Sequence, residues 1–305
     1  MQRLHEIIPA ELLDGVLRSY EIKKPTTFRV NRLKSTRADV ESFLRNRNIH
    51  FYNVEWYEDA FVVSAEYTKM LTDSELYNAG RIYVQSLSSM APPLVLEPDL
   101  EDKVLDLCAA PGSKTTQIAS MMNNGGRIDA YDLSTVRFYK LAYNLKLQGV
   151  TNTKTIRGRG EDVWKRKRSF YDRALADVPC SLEGRFSTLD PKSYEGWSEK
   201  KVKDLAQRMR YLLWSAVQST RRGGVVVYST CTMSPEENEG VVDWVLQKEK
   251  GRLVIEKIGL YGLELRPGLK AWRGVNYDPS LENTARIFPN QLMEGFYMAK
   301  LKVIA

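Results

Sequence analysis

Only three cysteines and two histidines occur among the 305 residues. Cys108, Cys180 and Cys231 are an odd set without close spacing, which argues against a disulfide framework and a zinc site. Reduced thiols in a cytosolic-type compartment fit instead, and a cytoplasmic protein is expected. His5 and His50 lie far from the cysteines, so a protease-like Cys–His pairing has little support. No segment approaches the ~18 consecutive apolar residues of a membrane span. The first residues, Met1 to Glu6, lack the apolar core and cleavage site of a secretory signal.

Two nucleotide signatures are also missing. A Walker A loop needs Gly-x-x-x-x-Gly-Lys-Ser/Thr, and its glycine positions would fall on Cys108 and Ser113. No Gly-x-Gly-x-x-Gly follows the strand before Cys108, which removes a nicotinamide oxidoreductase.

What is present is an ordinary globular composition, 43% hydrophobic and 27% charged, with a net charge of +7. Basic residues gather at Arg157-Gly158-Arg159, at Lys165-Arg166-Lys167-Arg168, through 200–210 and at Arg221-Arg222. A polyanion such as nucleic acid suits this excess. A solvated surface is the plainer alternative for any single cluster.

From Lys103 onward short apolar runs alternate with helical periodicity. Strands are expected over 103–108, 126–132, 153–159, 171–177, 224–231 and 295–304. Helices are expected up to about 122, then over 134–148, 200–221 and 238–248. This pattern is α/β, with a mostly parallel sheet covered on both faces. Residues 1–97 read as a small α+β module, with strands over 26–33 and 56–64 and helices over 37–47 and 75–86. Ala91-Pro92-Pro93 and Glu97-Pro98-Asp99 mark the join to a main domain over 98–305.

Two strands end in cysteine-bearing turns, Asp177-Val178-Pro179-Cys180-Ser181 and Ser229-Thr230-Cys231-Thr232. Ligands of parallel α/β sheets sit at the carboxyl ends of strands, so both thiols are expected beside one pocket. The small-residue turn Cys108-Ala109-Ala110-Pro111-Gly112-Ser113-Lys114 opens a helix whose N-terminus suits a carboxylate. Asp132, at the end of the next strand, could hold the two hydroxyls of a ribose or cap the following helix.

These motifs, with Tyr228 to Glu239, resemble in order the NOL/NOP/Sun group of RNA cytosine-5 methyltransferases. Phe28 to Lys34, Gln85 to Met90, Arg286-Ile287-Phe288-Pro289 and Glu294-Gly295-Phe296 extend the resemblance from about residue 26 to 301. The resemblance implies a Rossmann-like S-adenosylmethionine-dependent methyltransferase sheet, preceded by an RNA-binding module. It implies methylation of carbon 5 of cytosine in RNA by a monomer without membrane association, with ribosomal RNA favoured over transfer RNA. A catalytically idle RNA-binding or ribosome-assembly factor on the same fold is the alternative. A DNA cytosine methyltransferase fits less well, because the chain has a Thr-Cys beside the Pro-Cys and no separate Glu-Asn-Val.

By the same resemblance Cys231 is the nucleophile and Cys180 assists product release. Asp177 hydrogen-bonds the base, and Lys114 orients Asp177 or aids proton traffic. The turn from Cys108 through Ser113 to Lys114, with Asp132 and Asp177, implies the cofactor seat. Two departures stand out. Ser113 replaces a common glycine, and the family's third cofactor acid falls near Arg159, so Glu161 or Asp162 is expected to substitute. Plainer readings stay open: a free cysteine as a small apolar residue, Asp177 as a turn cap, Lys114 as a solvated lysine. Pro235 to Glu239 is expected to start the next helix. Arg29, Arg32, Lys34 and Arg37, with Tyr52, Trp56 and Tyr57, could grip RNA or, for the aromatics, form the module's own core. RNA contact is expected of the exposed basic residues only.

Overall fold

The computed structural model describes residues 2–305. Helices α1 (Gln2–Ile7) and α2 (Ala10–Ser19) come first. An antiparallel sheet follows, built from β1 (Thr26–Val30), β2 (Phe51–Asn53), β3 (Ala60–Val63) and β4 (Ile82–Val84) in the order β2-β3-β1-β4. Helix α3 (Arg37–Asn46) starts at a capping box in which Thr36 and Asp39 satisfy each other's backbone amides. Its Val40 and Leu44 bury against Phe28, Phe61 and Ile82.

The expected helix over 75–86 needs correction. Helices α4 (Thr68–Thr72) and α5 (Glu75–Asn78) are about a turn each, and Gly80 at φ 68° swings the chain into β4. A side-chain carbon at residue 80 would sit 2.1 Å from the Leu147 carbonyl oxygen, so only glycine fits. Ala91-Pro92-Pro93 is a helix interior rather than a linker, because α6 (Leu87–Leu96) runs through it with both prolines buried.

The large sheet has nine strands. Its parallel half comprises β5 (Lys103–Asp106), β6 (Arg127–Asp132), β7 (Thr153–Arg157), β8 (Tyr171–Asp177) and β9 (Thr220–Thr230), ordered β9-β8-β5-β6-β7. β10 (Leu253–Glu256), β11 (Arg266–Pro267), β14 (Ala285–Ile287) and β15 (Phe296–Val303) extend the β9 edge antiparallel. β12 (Ala271–Trp272) and β13 (Val275–Asn276) form a small separate hairpin. The sheet is therefore half antiparallel, not mostly parallel, because β10, β11, β14 and β15 all return on the β9 edge.

Helices α7 (Ser113–Met121), α8 (Thr135–Leu147), α9 (Glu199–Ser219) and α10 (Glu239–Lys248) alternate with the strands. On one face Met209, Leu212 and Leu213 of α9 and Val241, Val242 and Val245 of α10 cover the sheet. On the other, Met90, Ala91 and Val95 of α6 pack with Ile118 and Ala119 of α7. Thus α6, which precedes the division expected at residue 97, lies against α7 and against β8, β9 and β15. Helix α9 stops earlier than expected, since Thr220 is already extended and β9 begins there. No described helix is long and apolar enough to cross a membrane.

Candidate active site

β5, β8 and β9 are neighbours, so their carboxyl ends open onto one place. Asp177 pairs in register with Ser229, which sends the two cysteine turns off the sheet side by side. The Sγ atoms of Cys180 and Cys231 are 3.1 Å apart. The hydrogen bond to Cys231, burial and the charge of the second sulfur push the Cys180 thiol well above its ordinary pKa. Either sulfur can be the donor of the hydrogen bond between them.

A buried network fixes this spacing. Ser181 and Thr232, each adjoining one cysteine, share a hydrogen bond of 2.8 Å. Glu237 accepts from the Ser181 amide at 2.9 Å and from its hydroxyl at 2.5 Å. Glu183 accepts from Ser234 at 2.7 Å and from the Trp197 indole at 2.8 Å. Burial raises the Glu237 carboxyl to about 7, against the pull of its hydroxyl donors.

At the same strand ends the Lys114 ammonium donates to Asp177 at 2.6 Å and to Ser89 at 2.8 Å. Ser229 donates to the second Asp177 oxygen at 2.8 Å. Lys114 is a buried first-turn lysine of α7, not a solvated one. Cys108 and Lys114 flank the turn, in which Gly112 adopts φ 107°. Burial raises the Cys108 thiol far above its normal range, so it behaves as a small apolar residue.

A cleft of about 520 Å³ joins these groups. Cys108, Ala110, Pro111, Ser113, Lys114, Asp177, Cys180 and Cys231 line it, while Ala109 and Gly112 lie in the turn behind. Asp132 is tied to that turn, accepting from the Ala110 amide at 3.2 Å and the Ser134 amide at 2.9 Å. Arg137 stands 3.4 Å from the same carboxylate. Glu161 and Asp162 are not brought to the cleft. They line a second groove, where Glu161 pairs with Arg208 at 2.7 Å and Asp162 with Lys165 at 2.7 Å. No described group of three or more His, Cys, Asp or Glu residues is arranged to hold a metal ion.

The front module's cations are engaged internally. Arg29 is fully buried and donates to Gln85 at 3.0 Å, the Ser113 carbonyl at 3.0 Å and Thr116 at 2.7 Å. Arg32 pairs with Glu58 and Asp59, and Arg37 with Glu41. Lys34 donates to the carbonyls of Ala79 and Leu147. Trp56 and Tyr57 pack against the core, whereas Tyr52 is exposed. Among these cations the structure favours internal bracing over a grip on RNA.

Three site residues were not singled out from sequence. Glu237 lies in a stretch expected to start a helix, yet α10 begins only at Glu239 and the preceding turn folds back onto Ser181. Arg185 lines the cleft, and Glu294 first, then both sulfurs, raise its guanidinium pKa. Asp106 sits beneath the cofactor-type turn, bonded to Thr115 at 2.7 Å through one oxygen while the other has no partner. Burial raises it to about 7. Its position in the Asp-Leu-Cys motif was the available signal.

Comparison with known proteins places this geometry. The family model for 16S rRNA methyltransferase RsmB/F matches residues 93–302. A tRNA (cytosine(49)-C(5))-methyltransferase of Pyrococcus abyssi is 35% identical, over 93% of this chain and 89% of its own length. A mouse 28S rRNA (cytosine-C(5))-methyltransferase is 35% identical over 99% of this chain, but the chain spans only 38% of that protein. The solved structure of a methyltransferase homologue from Pyrococcus horikoshii superposes with a TM-score of 0.81, at 26% identity, covering 99% of this chain and 98% of that one. The fold is thus the Rossmann-like one of S-adenosylmethionine-dependent methyltransferases, and the chain belongs to the RsmB/F methyltransferase family.

Proposed function

We propose that the protein methylates carbon 5 of cytosine in RNA through a covalent Cys231 adduct, using S-adenosylmethionine. The observation that carries this reading is the thiol pair beside the Lys114–Asp177 ion pair in one cleft. Ribosomal RNA is favoured over transfer RNA as substrate class because the matching family model and the mouse relative are both named for it, while the equally identical Pyrococcus abyssi relative keeps transfer RNA as the alternative.

The chain's residues suit the methyl donor. The N-terminus of α7 has no side-chain cap, which fits the amino acid's carboxylate. The unpartnered Asp106 oxygen fits its ammonium group, and Asp132 fits the ribose hydroxyls. With Glu161 and Asp162 tied to cations, neither is assigned to the adenine. When bound, S-adenosylmethionine supplies a sulfonium-activated methyl group.

Cys231 acts first in this scheme. Its thiol proton passes to the Asp177 carboxylate as its sulfur forms a bond to carbon 6 of the ring. Asp177, held by Lys114 and Ser229, shares a proton with ring nitrogen 3 and so takes up the electron density displaced from the 5,6 double bond. Carbon 5 then becomes the nucleophile that accepts the methyl group. Once Cys231 is a thioether its sulfur carries no charge, and one cause of the raised Cys180 pKa is gone. Cys180 then gives up its thiol proton to solvent, its thiolate takes the carbon 5 proton, the double bond re-forms as the Cys231–carbon 6 bond breaks, and the ring nitrogen 3 proton returns to Asp177. The target base must leave its stack to enter the cleft.

The deciding experiment is bisulfite sequencing of cellular RNA with and without the protein, beside transfer of labelled methyl groups to RNA in vitro. A cytosine that loses protection only when the protein is absent names the substrate. No transfer to any RNA, with function intact in Cys231→Ala, would instead favour an idle assembly factor.

A further inference from the structure

We propose that the outward face of α8 is the platform on which RNA nucleotides flanking the target cytosine stack, an inference that rests on the RNA-methylating reading above. Val136, Tyr139 and Tyr143 stand on that face at 68%, 68% and 65% exposure. Large side chains on a folded surface at such exposure ask for a partner. The thirteen residues of α8 contain no acid, while Arg137, Lys140 and Lys146 add three positive charges. Only Arg137 of these is ion-paired among the described residues, to Asp132.

The face adjoins the catalytic cleft through Lys140, which follows Tyr139 and lines the cleft. Charge of one sign beside exposed aromatic rings fits single-stranded nucleic acid, which binds by stacking on such rings and by phosphate neutralisation. Tyr139 and Tyr143 are one helical turn apart, about 6 Å along the axis. That exceeds the ~3.4 Å rise per nucleotide of a duplex strand, so the rings suit bases already unstacked. Arg29, Arg32, Lys34 and Arg37 of the front module are spent on internal partners, whereas Lys140 and Lys146 have no ion-pair partner among the described residues.

The test is direct binding of a labelled, unstructured RNA oligonucleotide containing cytosine to the full chain. The double variant Tyr139→Ala, Tyr143→Ala should weaken binding about thirtyfold or more, with unchanged melting temperature and unchanged affinity for S-adenosylmethionine. Tyr139→Phe with Tyr143→Phe should restore it. Lys140→Gln with Lys146→Gln should lower the slope of log K against log salt by about 1.4. Equal affinity of the alanine variant and the parent overturns the platform, as does a parent that does not bind the RNA. A variant that changes only the oligomeric state overturns it too, since the face would then be a contact between copies. A parent that binds through these tyrosines yet transfers no methyl group defeats the methylation reading and leaves the platform standing.

Discussion

The Cys180 and Cys231 sulfurs stand 3.1 Å apart, and the Cys180 thiol is held well above its ordinary pKa by that contact and by burial. The roles proposed for the pair are unequal: Cys231 is the nucleophile and Cys180 assists release. We expect Cys231→Ala to abolish methyl transfer and adduct formation alike. Cys180→Ala should accumulate a covalent RNA–protein complex, visible as a labelled band on a denaturing gel. Loss of the band in Cys180→Ala with full turnover in Cys231→Ala would reverse the roles.

The same spacing predicts sensitivity to oxidation. A disulfide needs the sulfurs about 1 Å closer, near 2.05 Å, a small shift for two adjacent turns. Diamide should inactivate the protein and dithiothreitol should restore it, with a mass loss of two hydrogens between. Adduct formation by Cys180→Ala should resist diamide. If that variant is inactivated equally, the sensitive thiol is not this pair.

The cysteine turns were legible because each follows a short apolar strand, and parallel topology sends consecutive strand ends to one side. The Lys114–Asp177 contact was legible only through the motif order. The bracing network was not, since Ser181, Glu183, Thr232 and Glu237 meet through hydrogen bonds between segments 51 to 56 residues apart in the pairs joining Ser181 to Thr232 and Glu237. Nothing in local periodicity encodes such pairings. Glu75 to Ser86 misled for another reason: helix-compatible residues were overruled by the Gly80 turn and by pairing of β4 with β1. Arg29 read as a surface cation in sequence, and only tertiary contact shows it sealed against α7.

That contact carries a stability prediction. Arg29 joins the front sheet to the first turn of α7 through the Ser113 carbonyl and Thr116, and also donates to Gln85, so Arg29→Ala leaves buried polar groups without a donor. The expected cost is about 2 kcal/mol or more, measurable as a lower denaturation midpoint. Because Ser113 belongs to the turn assigned to the methyl donor, its KM should rise more than the KM for RNA. Arg29→Lys should rescue little, as one ammonium cannot span the partners of a guanidinium fork. Equal rises in both KM values would reduce Arg29 to a general stabiliser.

Glu237 makes stability depend on pH with a definite sign. A glutamate in the unfolded chain ionises near pH 4.3, whereas burial holds Glu237 to about 7 in the fold. Between those values the folded chain binds more protons than the unfolded one. Its contribution is thus fully present below about pH 4.3 and is lost as pH rises through about 7. Asp106, raised to about 7 by burial, acts in the same direction. Thermal unfolding from pH 5 to pH 8 should therefore show falling stability. Glu237→Gln should flatten that slope without removing it, because the share of Asp106 persists. The variant keeps one acceptor for Ser181, so the cysteine turns should stay close and adduct formation should continue. Glu237→Ala leaves both the Ser181 amide and its hydroxyl without that acceptor, and should lower stability and slow adduct formation together. A Glu237→Gln slope identical to the parent would mean that Glu237 is ionised throughout and that the network is a charged clamp rather than a neutral one.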